Sequence, residues 1–251
     1  MEEYLNDRKD EDSYHFEAMN FGMGWYTSAH SVINFVLNVI DFSPDYVILH
    51  DGWNEGFVRN VPASEFRGDY AHALTYFHEP YIVDKYPIRV SVLYRYVKQR
   101  LTAEPDWVFL DTAILKKIKR TELEWKNLNE LNPYRRNIKT IVDLANLRGI
   151  RVVLSTQPHS TDPQVLSKYD GAVHMDQANN IVREVYKEYQ DNVLFVDLDV
   201  LMTGKMNKVF EDLGHMDVDG TKFQAEQFGK VILEHWKKFN SSSEQRNKLG
   251  R

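Results

Sequence analysis

The chain has 251 residues, 43% hydrophobic and 13% aromatic, enough to bury a sizeable core in one α/β domain with room for an insertion. Lys plus Arg number 31 against 37 Asp plus Glu, and the formal net charge of -6 gives no long-range attraction to nucleic acid or anionic lipid. Cys is absent, which excludes disulfides and Cys chemistry, and the longest apolar run, "YVIL", is far too short to span a bilayer.

In chain order, "MEEYLNDRKDEDSY" is acidic and polar where a signal peptide needs a basic and then an apolar stretch. It leaves the compartment open. "HFEAMNF" (15–21) reads as a first buried strand, and "DYVILH" (45–50), "IRVVLST" (150–156) and "NVLFVDL" (192–198) as three more. Helical patterns alternate with them. In "TSAHSVINFVLNVID" (27–41), Val32, Phe35, Val36, Val39 and Ile40 share a face, and Thr27 or Ser28 is the N-cap. In 134–150, Ile138, Ile141, Val142 and Ala145 recur at helical spacing and Gly149 stops the helix. The stretches 177–190 and 221–239 are further helices; in the last, Phe223, Val231, Ile232, His235 and Trp236 fall mostly on one side.

This alternation predicts an α/β fold, an open and mostly parallel sheet between helices, in a single domain over residues 1–240. Residues 57–133 break the rhythm with an aromatic-rich, Pro-punctuated stretch and two helical patterns, 91–101 and 111–128. They read as a largely helical insertion between two strands, where such folds commonly shape a ligand site. Residues 241–251 read as a disordered tail.

Three stretches can carry chemistry. "PDYVILHDGWNEG" (44–56) runs a strand into a polar loop with His50, Asp51, Asn54 and Glu55; on spacing alone it is equally a turn built on Asp-Gly. "NFGMGWYTS" (20–28) is a Gly-containing turn into a helix, whose N–H groups can hold an oxyanion. As a dinucleotide fingerprint it fails, because Thr27 stands at the third glycine position. "FEDLGHMDVDG" (210–220) sets Asp212 three residues before His215, a general base near neutral pH with a carboxylate to orient it. A lone D-x-x-H is common by chance. His159, His72, His78 and Glu79 are weaker candidates, and Asp197 and Asp199 have a structural hydrogen-bonding role as their default.

Taken in order, these stretches resemble the sequence blocks of the SGNH/GDSL hydrolase superfamily. "NFGMGWYTS" is similar to N-x-G-x-x-G-x-T-S, "HDGWNE" to G-x-N-D, and "DLGHMDVDG" to the closing D-x-x-H block. The resemblance implies a flavodoxin-like three-layer α/β/α sandwich. It implies ester hydrolysis or acyl transfer through a Ser-bound intermediate, with His215 as base, Asp212 as its acid partner, and Asn54 and Gly24 as oxyanion donors. Trp25 stands where the family's glycine would fall, and a shift of one residue gives Gly24 that role. No cofactor and no metal is implied, and the substrate class is a small-molecule, carbohydrate or lipid ester.

The G-D-S block with its nucleophilic Ser has no counterpart, so the nucleophile is unassigned. The first strand, central in that fold, is missing with it. The expectation is a truncated or inactive chain, whose first strand comes from a missing segment or a partner. The alternative is a non-catalytic binding module on the same fold.

Overall fold

The computed structural model describes residues 1–9, 15–24, 26–61, 63–64, 66–70, 128–167 and 171–249. The chain divides into two compact units, one of Met1–Gly56 with Leu131–Arg251 and the other of Phe57–Glu130.

The first unit holds a parallel sheet of β1 (Tyr46–Leu49), β2 (Arg151–Ser155) and β3 (Val193–Val196), in that spatial order. Tyr46 lies beside Arg151, and Val152 beside Val193. The runs are short, apolar and bounded by polar turns, as strands covered on both faces must be. Their side chains alternate between two cores. Val47, Leu49, Val152, Leu154, Val193 and Phe195 belong to one. Tyr46, Ile48, Val153, Leu194 and Val196 belong to the other.

Helices cover both faces, which makes the three-layer α/β/α sandwich. Four of them are α1 (Glu2–Arg8), α2 (Ser28–Leu37), α4 (Asn132–Leu147) and α6 (Ala172–Tyr189), and α8 (Val218–Leu249) closes the chain. Between them lie short α3 (Glu55–Arg59), α5 (Pro163–Leu166) and α7 (Leu198–Met202). Phe35 of α2, Ile138 and Val142 of α4, and Val182 and Val185 of α6 fill the first core. Leu5 of α1, with Phe228, Ile232 and Leu233 of α8, fills the second. Of the face expected on α2, Val36 lies exposed while Phe35 is buried; the helix ends at Leu37, and Val39 is buried in the 3-10 turn that follows. Gly149 ends α4 in the left-handed region, φ 72°, and Ile150 N–H returns to Ala145 O at 2.9 Å.

The expected strand at 15–21 is not a strand. The amide of Phe16 donates to Asn6 Oδ1 at 2.9 Å, and its carbonyl accepts from Asn6 Nδ2 at 2.9 Å. Ala18 N–H goes to Glu2 Oε2 at 2.7 Å. Side chains of α1 therefore take the backbone groups a ladder would need. α1 itself lies in the stretch read only as acidic and polar. Gly229 of α8 admits it: a β-carbon there would stand 2.5 Å from Tyr4 Cδ1.

β1 pairs with β2, and among the described residues no strand pairs its other edge. The helical backbone of α8 continues to Leu249, into the stretch read as a disordered tail. No described helix is long and apolar enough to cross a membrane.

In the second unit, the two ends of the segment are tied to each other. Asn129 Nδ2 donates to Arg59 O and to Val61 O, both at 2.7 Å, and Arg59 Nε donates to Asn129 O. The helical patterns at 91–101 and 111–128 lie outside the described residues except Leu128, as do His72, His78 and Glu79.

Candidate active site

The loop after β1 is clamped from one side. Tyr134 of α4 donates to Asp51 O at 2.6 Å, and His174 of α6 donates through Nε2 to Gly52 O at 2.9 Å. Gly52 has φ 142°, and a β-carbon there would meet Tyr134 Oη at 3.1 Å, so only glycine fits. Asp51 is enclosed with it; burial pushes its carboxyl up to about 6, against the opposing hydrogen bond from Ser31. Burial, then the nearby Asp51 and Glu55, raise the Tyr134 phenol well above its ordinary value.

The same loop is stitched to the N-terminus of α2. Asn54 Nδ2 donates to Tyr26 O at 2.7 Å, and Glu55 Oε1 accepts from Ser28 N–H at 2.6 Å. A carboxylate at the first helical amides suits the helix dipole. The two stretches read as separate blocks, around Gly24 and around Asn54, are thus one hydrogen-bonded assembly. Gly24 lies in an exposed turn, where an added β-carbon would have nothing within 4 Å. Trp25 lies outside the described residues.

Asp212 and His215 do meet. Asp212 Oδ2 lies 2.6 Å from His215 Nδ1, while Oδ1 accepts the backbone N–H of Gly214 at 2.9 Å and of His215 at 2.8 Å. Burial pushes the Asp212 carboxyl up. The His215 N–H, the His215 ring and the Gly214 N–H outweigh it and hold the group below the usual carboxylate value. A carboxylate on Nδ1 fixes the imidazole proton there and leaves Nε2 as the basic nitrogen. The His215 side chain is 74% exposed, so that nitrogen can reach a ligand.

His215 borders a cavity of about 180 Å³, which His50, Trp53, Gln157, Pro158, Gly214 and Met216 also line. Asn54 and Gly24 are not among the lining residues. His50 Nε2 accepts from the amide of Gln224 at 2.8 Å, and burial pushes the ring down to about 4, so it stays neutral. Gln157 Nε2 donates to His50 O at 3.1 Å; Asn179 fixes its backbone through two bonds of 2.8 Å. Trp53, Gln157 and Met216 carry no motif, and their place follows only from the strand ends that bring them together. His159 is buried against Ser160 O and is not a lining residue.

No Ser lines the cavity among the described residues. Ser28 is buried, with its hydroxyl accepting from Asn137 Nδ2 at 2.9 Å. Asp197 and Asp199 serve structure: Arg183 bonds both, and Thr156 donates to Asp197 at 2.9 Å.

No family model and no curated protein matches the chain. Among solved structures it is similar to a GDSL-like lipase from Bacteroides thetaiotaomicron, at 16% identity over 85% of this chain and 72% of that chain, with a TM-score of 0.46. It is also similar to a mutant of an acetyl-xylooligosaccharide esterase from a Geobacillus, at 18% identity over 85% of this chain and 71% of that chain, with a TM-score of 0.48. In the order of its sequence blocks and in its α/β sandwich, the chain resembles the SGNH/GDSL hydrolases.

Proposed function

We propose that this chain carries the acid–base half of an acyl-transfer site, for hydrolysis or transfer of an acyl ester. The observation that carries this is the Asp212–His215 pair, 2.6 Å apart, at the wall of the cavity. His215 Nε2 takes the proton of a serine hydroxyl as its oxygen attacks the ester carbonyl. The alcohol then leaves with that proton, and water or a second alcohol releases the acyl group by the reverse transfer. Asp212 holds the tautomer and stabilises the imidazolium. Asn54 keeps a second amide hydrogen beyond the one given to Tyr26 O; the resemblance of the sequence blocks assigns it and the Gly24 N–H as oxyanion donors, and neither is a lining residue of the cavity. No Asp, Glu, Lys or Arg is among the lining residues, which suits an uncharged small-molecule, carbohydrate or lipid ester.

The nucleophile comes on a strand added to the edge of β1 that no described strand pairs, from a further segment or a partner. Such a strand would run beside the loop that holds Asn54. The second reading is a binding module that has lost catalysis, and the absence of Ser from the described lining residues favours it.

Hydrolysis of a short-chain aryl ester by the 251 residues alone tests both readings. Little or no turnover is expected. Turnover abolished in His215→Ala would show a nucleophile within this chain and overturn the added strand. A serine-bearing segment that restores ester hydrolysis only when His215 is present would exclude the binding module.

A further inference from the structure

Trp53 and Gly214 meet across the cavity. A β-carbon on Gly214 would stand 3.0 Å from Trp53 Cζ3, 3.1 Å from Cε3 and 3.4 Å from Cη2. Three atoms of one six-membered ring at that range mean the ring lies against the Gly214 backbone, with no space for a side chain.

Each end of the contact is held separately. The chain before Trp53 is fixed by Tyr134 at Asp51 O and by His174 at Gly52 O. On the other side, Asp212 fastens the Gly214 and His215 amides, so the turn is closed upon itself. Leu213 is buried, and its carbonyl accepts from Ser160 N–H at 2.9 Å. These bonds make the turn rigid. They do not set its distance from the loop that carries Asn54; the Trp53 ring spans that distance.

We infer that Trp53 is a positioning residue, the spacer that sets the His215 turn against the Asn54 loop while forming part of the cavity wall. The inference rests on the reading of the site as an acyl-transfer site and adds to it a residue with no donor, acid or base role. A misplacement of about 1 Å between such groups is enough to lower turnover about a hundredfold.

Amide hydrogen exchange by NMR tests it, in Trp53→Ala, Trp53→Phe and Gly214→Ala. In Trp53→Ala the Ser160 amide, the bond that anchors the turn, exchanges about tenfold faster. The Gly214 and His215 amides, bonded within the turn to Asp212, keep their protection, and so does Val153 in β2. Trp53→Phe restores Ser160, since a ring still fills the space. Gly214→Ala, which pushes the turn off the ring, reproduces the Trp53→Ala pattern and carries the test alone if Trp53→Ala does not fold. Unchanged Ser160 exchange, or acceleration matched at Val153, overturns the proposal. Ester turnover in the same variants bears on the functional reading alone, because the exchange pattern is read without it.

Discussion

Thr27 and His30 close the N-terminus of α2 on each other: Thr27 N–H donates to His30 Nδ1 at 3.2 Å, and Thr27 Oγ1 lies 2.9 Å from the same nitrogen. His30 takes the place that Glu or Gln holds in a capping box. Only a neutral imidazole can accept there, and burial pushes the group down to about 4. The unfolded chain takes up this proton near pH 6.5 and the folded chain does not. The stabilisation is therefore complete above pH 6.5 and is lost as pH falls toward 4. His30→Gln keeps an acceptor that does not titrate, so its melting temperature falls less steeply between pH 7 and 4.5. Identical slopes in the two proteins would refute the cap. His50 titrates in the same window, so the slope is reduced and not abolished.

Asp51 has the opposite sign. Its folded-state value, pushed up to about 6, lies above the ordinary 3.8, so ionisation costs the folded chain and not the unfolded one. The penalty grows as pH rises from about 4 and is fully present above 6. Asp51→Asn stabilises the protein at pH 7 by about 1 kcal/mol and changes little at pH 4. Chemical denaturation at the two pH values checks this; equal effects at both would sink it.

Gly52→Ala destabilises more than Gly149→Ala. Both glycines have positive φ, 142° and 72°, but only the first has an obstacle, Tyr134 Oη at 3.1 Å. Nothing lies within 4 Å of a β-carbon at Gly149, which leaves backbone strain alone, about 1 kcal/mol. Urea midpoints of the two variants decide the order.

Asp212 fixes the tautomer of His215. In Asp212→Ala the Nδ1 partner at 2.6 Å is gone, and the ring reverts to the Nε2–H form that a free imidazole prefers. Ring nitrogen shifts of His215 at pH 8 report the change. An unchanged tautomer would remove Asp212 from its role.

Asp197→Ala costs about 2 kcal/mol of stability, because it removes one of the two carboxylates that Arg183 bonds, the acceptor of the Thr156 hydroxyl and the cap of α7 at Val200 N–H. Burial raises the Asp197 carboxyl, but Arg183, Thr156 and the Val200 amide together hold it below its usual value. The contribution is thus lost as pH falls through the carboxylate range, and thermal melts at pH 7 and 3 should converge for the two proteins.

What was legible in the sequence depended on the range of the interaction. The three strands announce themselves as short apolar runs because both faces are covered, and α4 shows its period because one face packs along its length. Residues 15–21 carry the same apolar signal for another reason. Phe16 packs on Trp236 at the margin of the second core and Phe21 on Phe42 at the margin of the first, while the Phe16 backbone bonds to α1. α1 has too few turns for a period and buries only Leu5. Asp212 and His215 were legible because a four-residue turn brings them together. Trp53 was not, because its partner lies far along the chain and glycine offers no side chain to suggest a contact.

The bonds between Arg59 and Asn129 have a consequence for how the chain varies. They join the described ends of the second unit in a stem of two backbone carbonyls, an amide and a guanidinium. Closing a loop at such a stem depends only weakly on how long the loop is. A change in the number of residues between Arg59 and Asn129 is therefore expected to cost little at the stem itself, where the described bonds hold.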